Sequence, residues 1–440
     1  MAVIISGIIC HMKMLKKLVR KIFPKQLAEG LADAFRFIRG WFWRAYYGFP
    51  SVGQKIIAVT GTNGKTTTVS FINEMLKASG QKTAVLTTAY YEIDGKKEFN
   101  ATHRTLGSQK DAQKFLAKAR KANVDIVIME ITSHALVQRR VEGLKFEGVA
   151  ITNLAQDHLD YHGTMEEYAR AKSLAITDYD AQWVVLNASD KWFEFFKECV
   201  SKNQKLITFG ETKTADIQLK SYEKKATQVA VEISYDGNTQ KFDIQLIGKF
   251  NVLNAVTAYA IGSALGIDPK KAGEGLGNLT GVDGRMEEIK EGQNFRVFVD
   301  YSYASDQLAS AIEAGREIAG DGKVSVVFGA TGDRDQAHWR LMGEGSVSAD
   351  KIYLTDDETY LNDPDVIRKT VMEGIKSKGT KAVITEIPDR KEAIKTAFSE
   401  AESGEIIILA GLGHQDYRDM GGKKLSWKEA EVARELLSQI

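Results

Sequence analysis

From Lys55 onward the chain alternates short apolar runs with longer stretches whose apolar residues recur every three or four positions. KIIAVT (55–60), DIVIMEI (125–131), GVAITNL (148–154) and WVVLN (183–187) read as buried strands, and TTTVSFINEMLKASG (66–80) reads as an amphipathic helix with a glycine stop. This alternation predicts an α/β fold with a mostly parallel sheet. Residues 226 to 247 break the pattern. TQVAVEISY, the turn signal Asp236-Gly237-Asn238 and KFDIQLI predict a β-hairpin. A long helix follows through FNVLNAVTAYAIGSALG (250–266). A second α/β series begins near Arg285, with FRVFVDY, VSVVFG, KIYLT, AVITEI and EIIILAG as its strands. The GVDG sequence (281–284) predicts a flexible joint between the two series. The organisation is therefore an N-terminal segment (1–54), a central domain (55–282) and a C-terminal domain (283–440).

The first 54 residues are different in kind. MAVIISGIIC is apolar but soon meets His11 and Lys13, too early for a bilayer-spanning helix, and its charges follow the apolar run, which argues against a signal peptide. Lys13, Lys16, Lys17, Arg20, Lys21 and Lys25 form a basic stretch, and FRFIRGWFWRAYYGF then interleaves aromatics with Arg36, Arg39 and Arg44. Two readings stand: a helical pair packing its aromatics on the next domain, or a peripheral helix on an anionic membrane through residues 13–48. Over the whole chain of 440 residues, 59 Lys+Arg and 58 Asp+Glu leave a formal charge of +1, so no bulk positive field suits a nonspecific nucleic-acid binder. Cys10 and Cys199 cannot build a disulfide framework, which fits a reducing compartment, and a cytoplasmic monomer is expected, peripheral at the inner membrane face on the second reading.

The strand KIIAVT runs into Gly61-Thr62-Asn63-Gly64-Lys65-Thr66-Thr67-Thr68 and then a helix. Glycines let backbone N–H groups close around phosphate oxygens, and the helix start adds partial positive charge. Lys65 can neutralise outer phosphates and Thr66 can ligate magnesium. Val59 stands where the usual phosphate-loop pattern has its first glycine. A tight turn alone would explain the glycines but not a Lys-Thr pair at the helix entry. ATP or GTP binding is expected.

GTNGKTTT, MEITSHAL, TNLAQDHLDYHGTMEEYARAK, GKFNVLNA, GRMEE, FGATGDRD and AGLGHQDY, in that order over residues 55–440, resemble the Mur ligases of peptidoglycan synthesis. Within that family they are most similar to the type that adds the third amino acid to UDP-N-acetylmuramoyl-L-alanyl-D-glutamate. The resemblance implies a central ATPase domain, a C-terminal Rossmann-like domain, ATP and Mg2+, and an acid–amine ligase that works through an acyl phosphate. Both steps of such a reaction build negative charge, so metal ions and cations matter more than a protein nucleophile.

The resemblance gives Glu130, at the carboxyl end of its strand, to magnesium. It gives His158 to a second magnesium, although the hard ion prefers oxygen. Gly163 suggests that the stretch around His158 and His162 is loop, and no zinc site is expected there. Thr164 to Glu167 reads as a capping box opening the helix that carries Lys172. In the family the matching lysine is carbamylated, which requires a lowered pKa. Asn251 and Asn254 share one helix face, and the resemblance puts them near the nucleotide together with Arg285 and Asp300. Thr105, Ser133, His134 and Arg140 are assigned to the muramoyl-peptide acceptor, and Asp333, Arg334, Asp335, Asp357, Gly413, His414 and Gln415 to the free amino acid.

The chain departs from the family pattern at several points. The N-terminal segment is too short for the family's UDP-gripping domain. Thr105-Leu106-Gly107 stands where Thr-Thr-Pro is usual, and Asp300-Tyr301-Ser302-Tyr303-Ala304-Ser305 where DYAHTP is expected. Asp357-Glu358-Thr359-Tyr360 replaces the DNPR motif of diaminopimelate selection, losing an arginine suited to clamp a carboxylate. Gly411-Leu412-Gly413-His414-Gln415 replaces GKGHE, trading an acid for an amide. Lysine or another amino acid is therefore open. So are a lipid-linked acceptor and a nucleotide-dependent binder without catalysis, although a mere binder has no need of Glu130, His158 and Lys172.

Overall fold

The computed structural model describes residues 25–440 except 101, 103, 226 and 227. It begins with helix α1 (Lys25–Tyr46). The central domain follows with β1 (Lys55–Thr60), α2 (Lys65–Ala78), β2 (Thr83–Leu86), β3 (Tyr90–Ile93), β4 (Lys96–Phe99), α3 (Gln109–Lys121), β5 (Ile126–Glu130) and α4 (Ser133–Val137). It continues with β6 (Gly148–Ile151), α5 (Leu159–His162), α6 (Met165–Thr177), β7 (Trp183–Asn187), α7 (Phe193–Glu198) and β8 (Lys205–Gly210). Strands β9 (Ile217–Lys224), β10 (Val229–Tyr235) and β11 (Asn238–Ile244) and helices α8 (Lys249–Ala264) and α9 (Pro269–Gly277) complete it.

These strands form one sheet ordered β11-β10-β9-β8-β7-β6-β1-β5-β2-β3-β4. Its centre is parallel, with β1 between β5 and β6, and its two ends are antiparallel. The central strands are apolar on both faces because helices cover both: β1 buries every residue from Ile56 to Thr60. Ile57, Val59, Phe71, Ile72 and Val256 belong to the core on one side, and Ile56, Ala58, Leu116, Val149 and Ile176 to the core on the other.

The C-terminal domain contains β12 (Glu287–Ile289), β13 (Arg296–Asp300), α10 (Ser305–Ala319), β14 (Val324–Phe328), α11 (Gln336–Gly345), β15 (Lys351–Leu354) and α12 (Pro364–Lys378). β16 (Val383–Glu386), α13 (Arg390–Ser399), β17 (Ile406–Ala410), β18 (Tyr417–Met420), β19 (Lys423–Ser426) and α14 (Glu429–Leu437) follow. Its sheet, β12-β13-β17-β14-β15-β16, is parallel except for the edge strand β12.

The joint is tighter than its composition predicts. Gly284 has φ 63°, and a Cβ on it would sit 2.2 Å from the backbone nitrogen of His414, so glycine is required there for a close approach. The stretch around His162 also differs from expectation: residues 159–162 make one helical turn, α5, which Gly163 ends at φ 83°. Only half of the predicted capping box forms. Thr164 accepts from the Glu167 N–H at 3.2 Å, while the Glu167 carboxylate turns to Arg170 at 3.0 Å.

Candidate active site

The carboxyl ends of β1, β5 and β6 meet at one rim, where open α/β sheets bind ligands. The loop after β1 is fastened to the end of β6. The Thr62 N–H donates to the Asn153 carbonyl at 3.0 Å, the Asn63 N–H to Asn153 Oδ1 at 2.9 Å, and Thr152 Oγ1 to the Asn63 carbonyl at 2.7 Å. Gly64 caps α2 in the left-handed region, and a Cβ there would lie 2.0 Å from Asn254 Oδ1. A backbone cradle at a helix start with its side-chain space taken suits a phosphate. Lys65 folds back over it, donating to the carbonyls of Gly61 at 3.1 Å and Thr62 at 2.7 Å.

Glu130, buried at the end of β5, closes the next layer. Its Oε2 accepts from Thr66 Oγ1 at 2.8 Å and the Thr88 N–H at 2.9 Å, and its Oε1 from Thr88 Oγ1 at 3.0 Å. Thr88 Oγ1 lies 2.7 Å from Thr105 Oγ1. These hard oxygen donors fit magnesium. Among the described residues no group of three or more His, Cys, Asp or Glu could hold a metal ion by itself. An ion at Thr66 and Glu130 would thus take its other ligands from nucleotide and water.

Helix α6 delivers Lys172 from the opposite side. It is 1% exposed, and its ammonium donates to the Gly61 carbonyl at 2.6 Å and lies 4.6 Å from the centre of the Tyr168 ring. Burial, and then the charge of Lys65, push its pKa well below the ordinary lysine range. Burial lowers Lys65 as well.

The histidines stand beside this cluster. Arg334, which can only donate, lies 3.1 Å from His158 Nδ1, so that nitrogen accepts and the proton is on Nε2, 3.4 Å from Asp157 Oδ2. The basic nitrogen of His158 is thus engaged by Arg334, and Glu130 and Thr66 carry the metal reading better. Ser133 Oγ meets His162 Nε2 at 2.9 Å, and the His134 ring packs on Tyr161 at 4.1 Å. Burial lowers His158 and holds His134 and His162 at about 4, so all three are neutral at pH 7.

The C-terminal domain supplies the facing wall. Arg285 reaches to 3.5 Å from Thr66 Oγ1 and lies over the Tyr301 ring. Asp300 accepts from the Met286 N–H at 2.7 Å and from the Ser302 hydroxyl, and burial raises its pKa. Asn63 of the phosphate loop bridges the domains, donating to Asp306 at 2.7 Å and accepting from Gln307 at 2.7 Å. Together the walls enclose a cavity of about 800 Å³.

The cavity brings together Gly61 to Thr67, Thr105, Glu130, Ser133, His134, Arg140, His158, Lys172, Asn254, Arg285, Asp300, Asp333, Arg334, Asp357 and Gln415. Other expected residues stand behind it. Asn251 donates to the Ile247 carbonyl, Asp335 caps α11, Gly413 packs against Tyr301, and the His414 ring lies 4.8 Å from the Tyr301 ring. Thr88, Asn153, Asp157, Tyr168 and Gln307 line the cavity without having been singled out. Asn153 and Thr88 follow buried strands in ITNL and TAVLTT, and a polar residue at that point was the available signal.

Fold and site define a two-domain α/β protein in which the loop after β1 opens into a cleft walled by the second domain. Residues 59–262 match the Mur ligase middle domain, and residues 284–413 the Mur ligase glutamate ligase domain. The chain is similar to the UDP-N-acetylmuramoyl-L-alanyl-D-glutamate–2,6-diaminopimelate ligase of Bacillus licheniformis, 35% identical over 404 residues, covering 90% of this chain and 81% of that one. It is 34% identical over 393 residues to the ligase of that name from Aquifex aeolicus, covering 89% and 79%. A solved structure of a ligase of that name aligns with TM-score 0.63 and 27% identity over 93% of this chain and 83% of that one. The fold is also shared with the folylpolyglutamate synthase of Mycobacterium tuberculosis, TM-score 0.70 at 16% identity, covering 85% and 92%. The chain belongs to the Mur ligase family.

Proposed function

We propose that this ligase joins a free amino acid to a UDP-N-acetylmuramoyl peptide in peptidoglycan synthesis, using ATP and Mg2+, as a monomer in the cytoplasm. The observation that carries the reading is the convergence of Lys65 and Lys172 on the Gly61 carbonyl beside the Thr66–Glu130 pair. The acceptor carboxylate takes the γ-phosphoryl group as an acyl phosphate, and the amine then displaces phosphate. Magnesium, held by Thr66 and Glu130, would neutralise phosphate charge. Lys65 and Arg285 bring cations to the oxygens on which charge develops. Lys172, losing a proton readily, suits carbamylation, which would turn it into an anionic ligand or orienting group. Asn63, held by Asp306 and Gln307, ties the phosphate loop to the C-terminal wall, and closure there excludes water that would hydrolyse the acyl phosphate.

The wall from the C-terminal domain supports an amino acid with a cationic side chain. Asp333, Asp357 and Glu358 line it with Tyr360 and Gln415. Glu358 is raised to about 7, first by burial and then by Asp357 beside it, so a positive group brought close would favour its ionised form. A second reading, a lipid-linked acceptor on the same chemistry, is favoured by α1: its Asp33 holds Arg139, the neighbour of the cavity residue Arg140.

The test is phosphate release with UDP-linked and lipid-linked acceptors against a panel of amino acids, with products identified by mass. Release that requires both acceptor and amino acid, and is strongest with a basic amino acid, is expected. Steady ATP turnover indifferent to both would reject the ligase reading.

A further inference from the structure

Helix α1 buries Trp43 against the central domain and turns charged residues the same way. The Asp33 carboxylate accepts from Arg139 Nε at 2.8 and 2.9 Å, and Arg39 Nε donates to Gln109 Oε1 at 2.7 Å. Gln109 in turn donates to the Arg36 and Arg139 carbonyls at 2.8 and 2.7 Å. Gly40 lets the helix close on Glu142, whose Cβ would be 2.9 Å from an added Cβ. These polar bonds fix the rotation of the helix.

The face they leave outward is apolar. Leu27, Leu31, Ile38, Phe42 and Tyr46 recur at helical spacing along it, with Ile38 64%, Phe42 55% and Tyr46 59% exposed. Phe37 and Trp41 flank the stripe, and Phe49 continues it past the helix end. Nine of the sixteen exposed large hydrophobics among the described residues lie between Leu27 and Val52, so this is one patch and not ordinary scatter. A helix of 22 residues makes the strip about 33 Å long.

We propose that this face of α1 lies on an anionic lipid bilayer. Charge complementarity selects this occupant. Residues 11–25, which lead directly into the stripe, contain six Lys or Arg and no Asp or Glu, in a chain whose net charge is only +1. Aromatic rings beside basic charge suit the headgroup boundary, where the rings bury and the cations meet phosphate. Among the described residues no helix is long and apolar enough to cross a membrane, so the contact is peripheral. Through the Asp33–Arg139 bridge the bilayer would lie on the Arg140 side of the cleft. The surface itself does not depend on the ligase reading, and vesicle binding tests it independently of any turnover.

The test is flotation of the full chain with vesicles of mixed phosphatidylcholine and phosphatidylglycerol, and with phosphatidylcholine alone. Binding to the mixed vesicles, weakened by salt, is expected. Ile38→Asp with Phe42→Asp should reduce it about tenfold or more without moving the melting temperature or the ATPase rate, because neither side chain serves the cleft. Charge reversal at Lys16, Lys17 and Arg20 should reduce it through a separate set of residues. Failure to bind anionic vesicles would overturn the proposal. So would a dimer in light scattering that Ile38→Asp dissolves, or stronger vesicle binding after removal of residues 1–24, which would mean that the chain covers this face itself.

Discussion

The ammonium groups of Lys65 and Lys172 share one acceptor, the Gly61 carbonyl oxygen, at 3.1 and 2.6 Å. Two cations on one buried carbonyl disfavour each other's charge, and burial adds to the effect. The second lysine is therefore the one driven toward the neutral, CO₂-reactive amine. Lys172→Ala should lower the ligation rate by about 10²-fold or more, the scale of lost charge stabilisation in a dry site. Acetate or formate in millimolar excess should restore part of that rate if the anionic form is what matters. Absence of any rescue, with the variant folded, would assign Lys172 a packing role.

Gly64 faces Asn254, which leaves no room for a Cβ. At φ 79° a side chain also meets left-handed strain of roughly 1–2 kcal/mol. Gly64→Ala should therefore weaken ATP binding by at least about tenfold and lower the melting temperature. Adding Asn254→Ala should return part of the stability, because the clash disappears while the backbone strain stays. Calorimetry and nucleotide titration on the two variants check this.

Glu358, raised to about 7, is mostly protonated at pH 6 and mostly ionised at pH 8. If the substrate's side chain is cationic, its KM should fall by about tenfold, the worth of a charge-assisted contact, as pH rises through 7. Glu358→Gln should flatten that profile. Fold stability has the opposite sign: a carboxyl raised above its ordinary 4.5 loses its contribution as pH rises from 4.5 toward 7. The variant should show less of that loss in pH-dependent melting.

Arg390 and Glu429 are both fully buried. Arg390 Nε and Nη2 donate to the Glu429 carboxylate at 2.7 to 3.2 Å, and Nη2 also donates to the Ala410 carbonyl at 2.8 Å. Glu429→Gln leaves a buried guanidinium without its counter-charge and should cost about 3–5 kcal/mol. Because Ala410 leads into Gly411 at the cavity wall, amino-acid binding should weaken with stability, and denaturant unfolding measures the first of these.

Strands β1, β5, β6 and β7 of the parallel core were legible because helices cover them on both faces, leaving Ile56 to Thr60 and Ile126 to Glu130 uninterrupted by exposed positions, while the parallel neighbours β2 and β8 went unread. β3 and β4 were not legible, since YYEI and KKEF form a sheet edge where only part of one strand is buried and none of the other. β18 and β19 escaped for the same reason. In the site, Lys65 at a helix start and Glu130 at a strand end could be picked out by position, whereas Lys172, in the middle of α6, was reached only through the family resemblance. Gln307 works by holding Asn63, and a residue whose role is to hold another leaves no pattern of its own. The sequence left α1 between packing on the next domain and lying on a membrane; in the fold Trp43 packs, Asp33 and Arg39 make polar contacts, and Phe37, Trp41, Phe42 and Tyr46 face outward, a division that aromatic content alone does not reveal.

The central claim is that an acceptor carboxylate is activated by direct phosphorylation at the Lys65–Glu130–Lys172 cluster. The most direct measurement supplies the acceptor with 18O in its carboxylate and follows the label by mass spectrometry of the phosphate released during amide formation. An acyl phosphate sends one labelled oxygen into that phosphate, and this is the expected result. Amide formed beside unlabelled phosphate would contradict it.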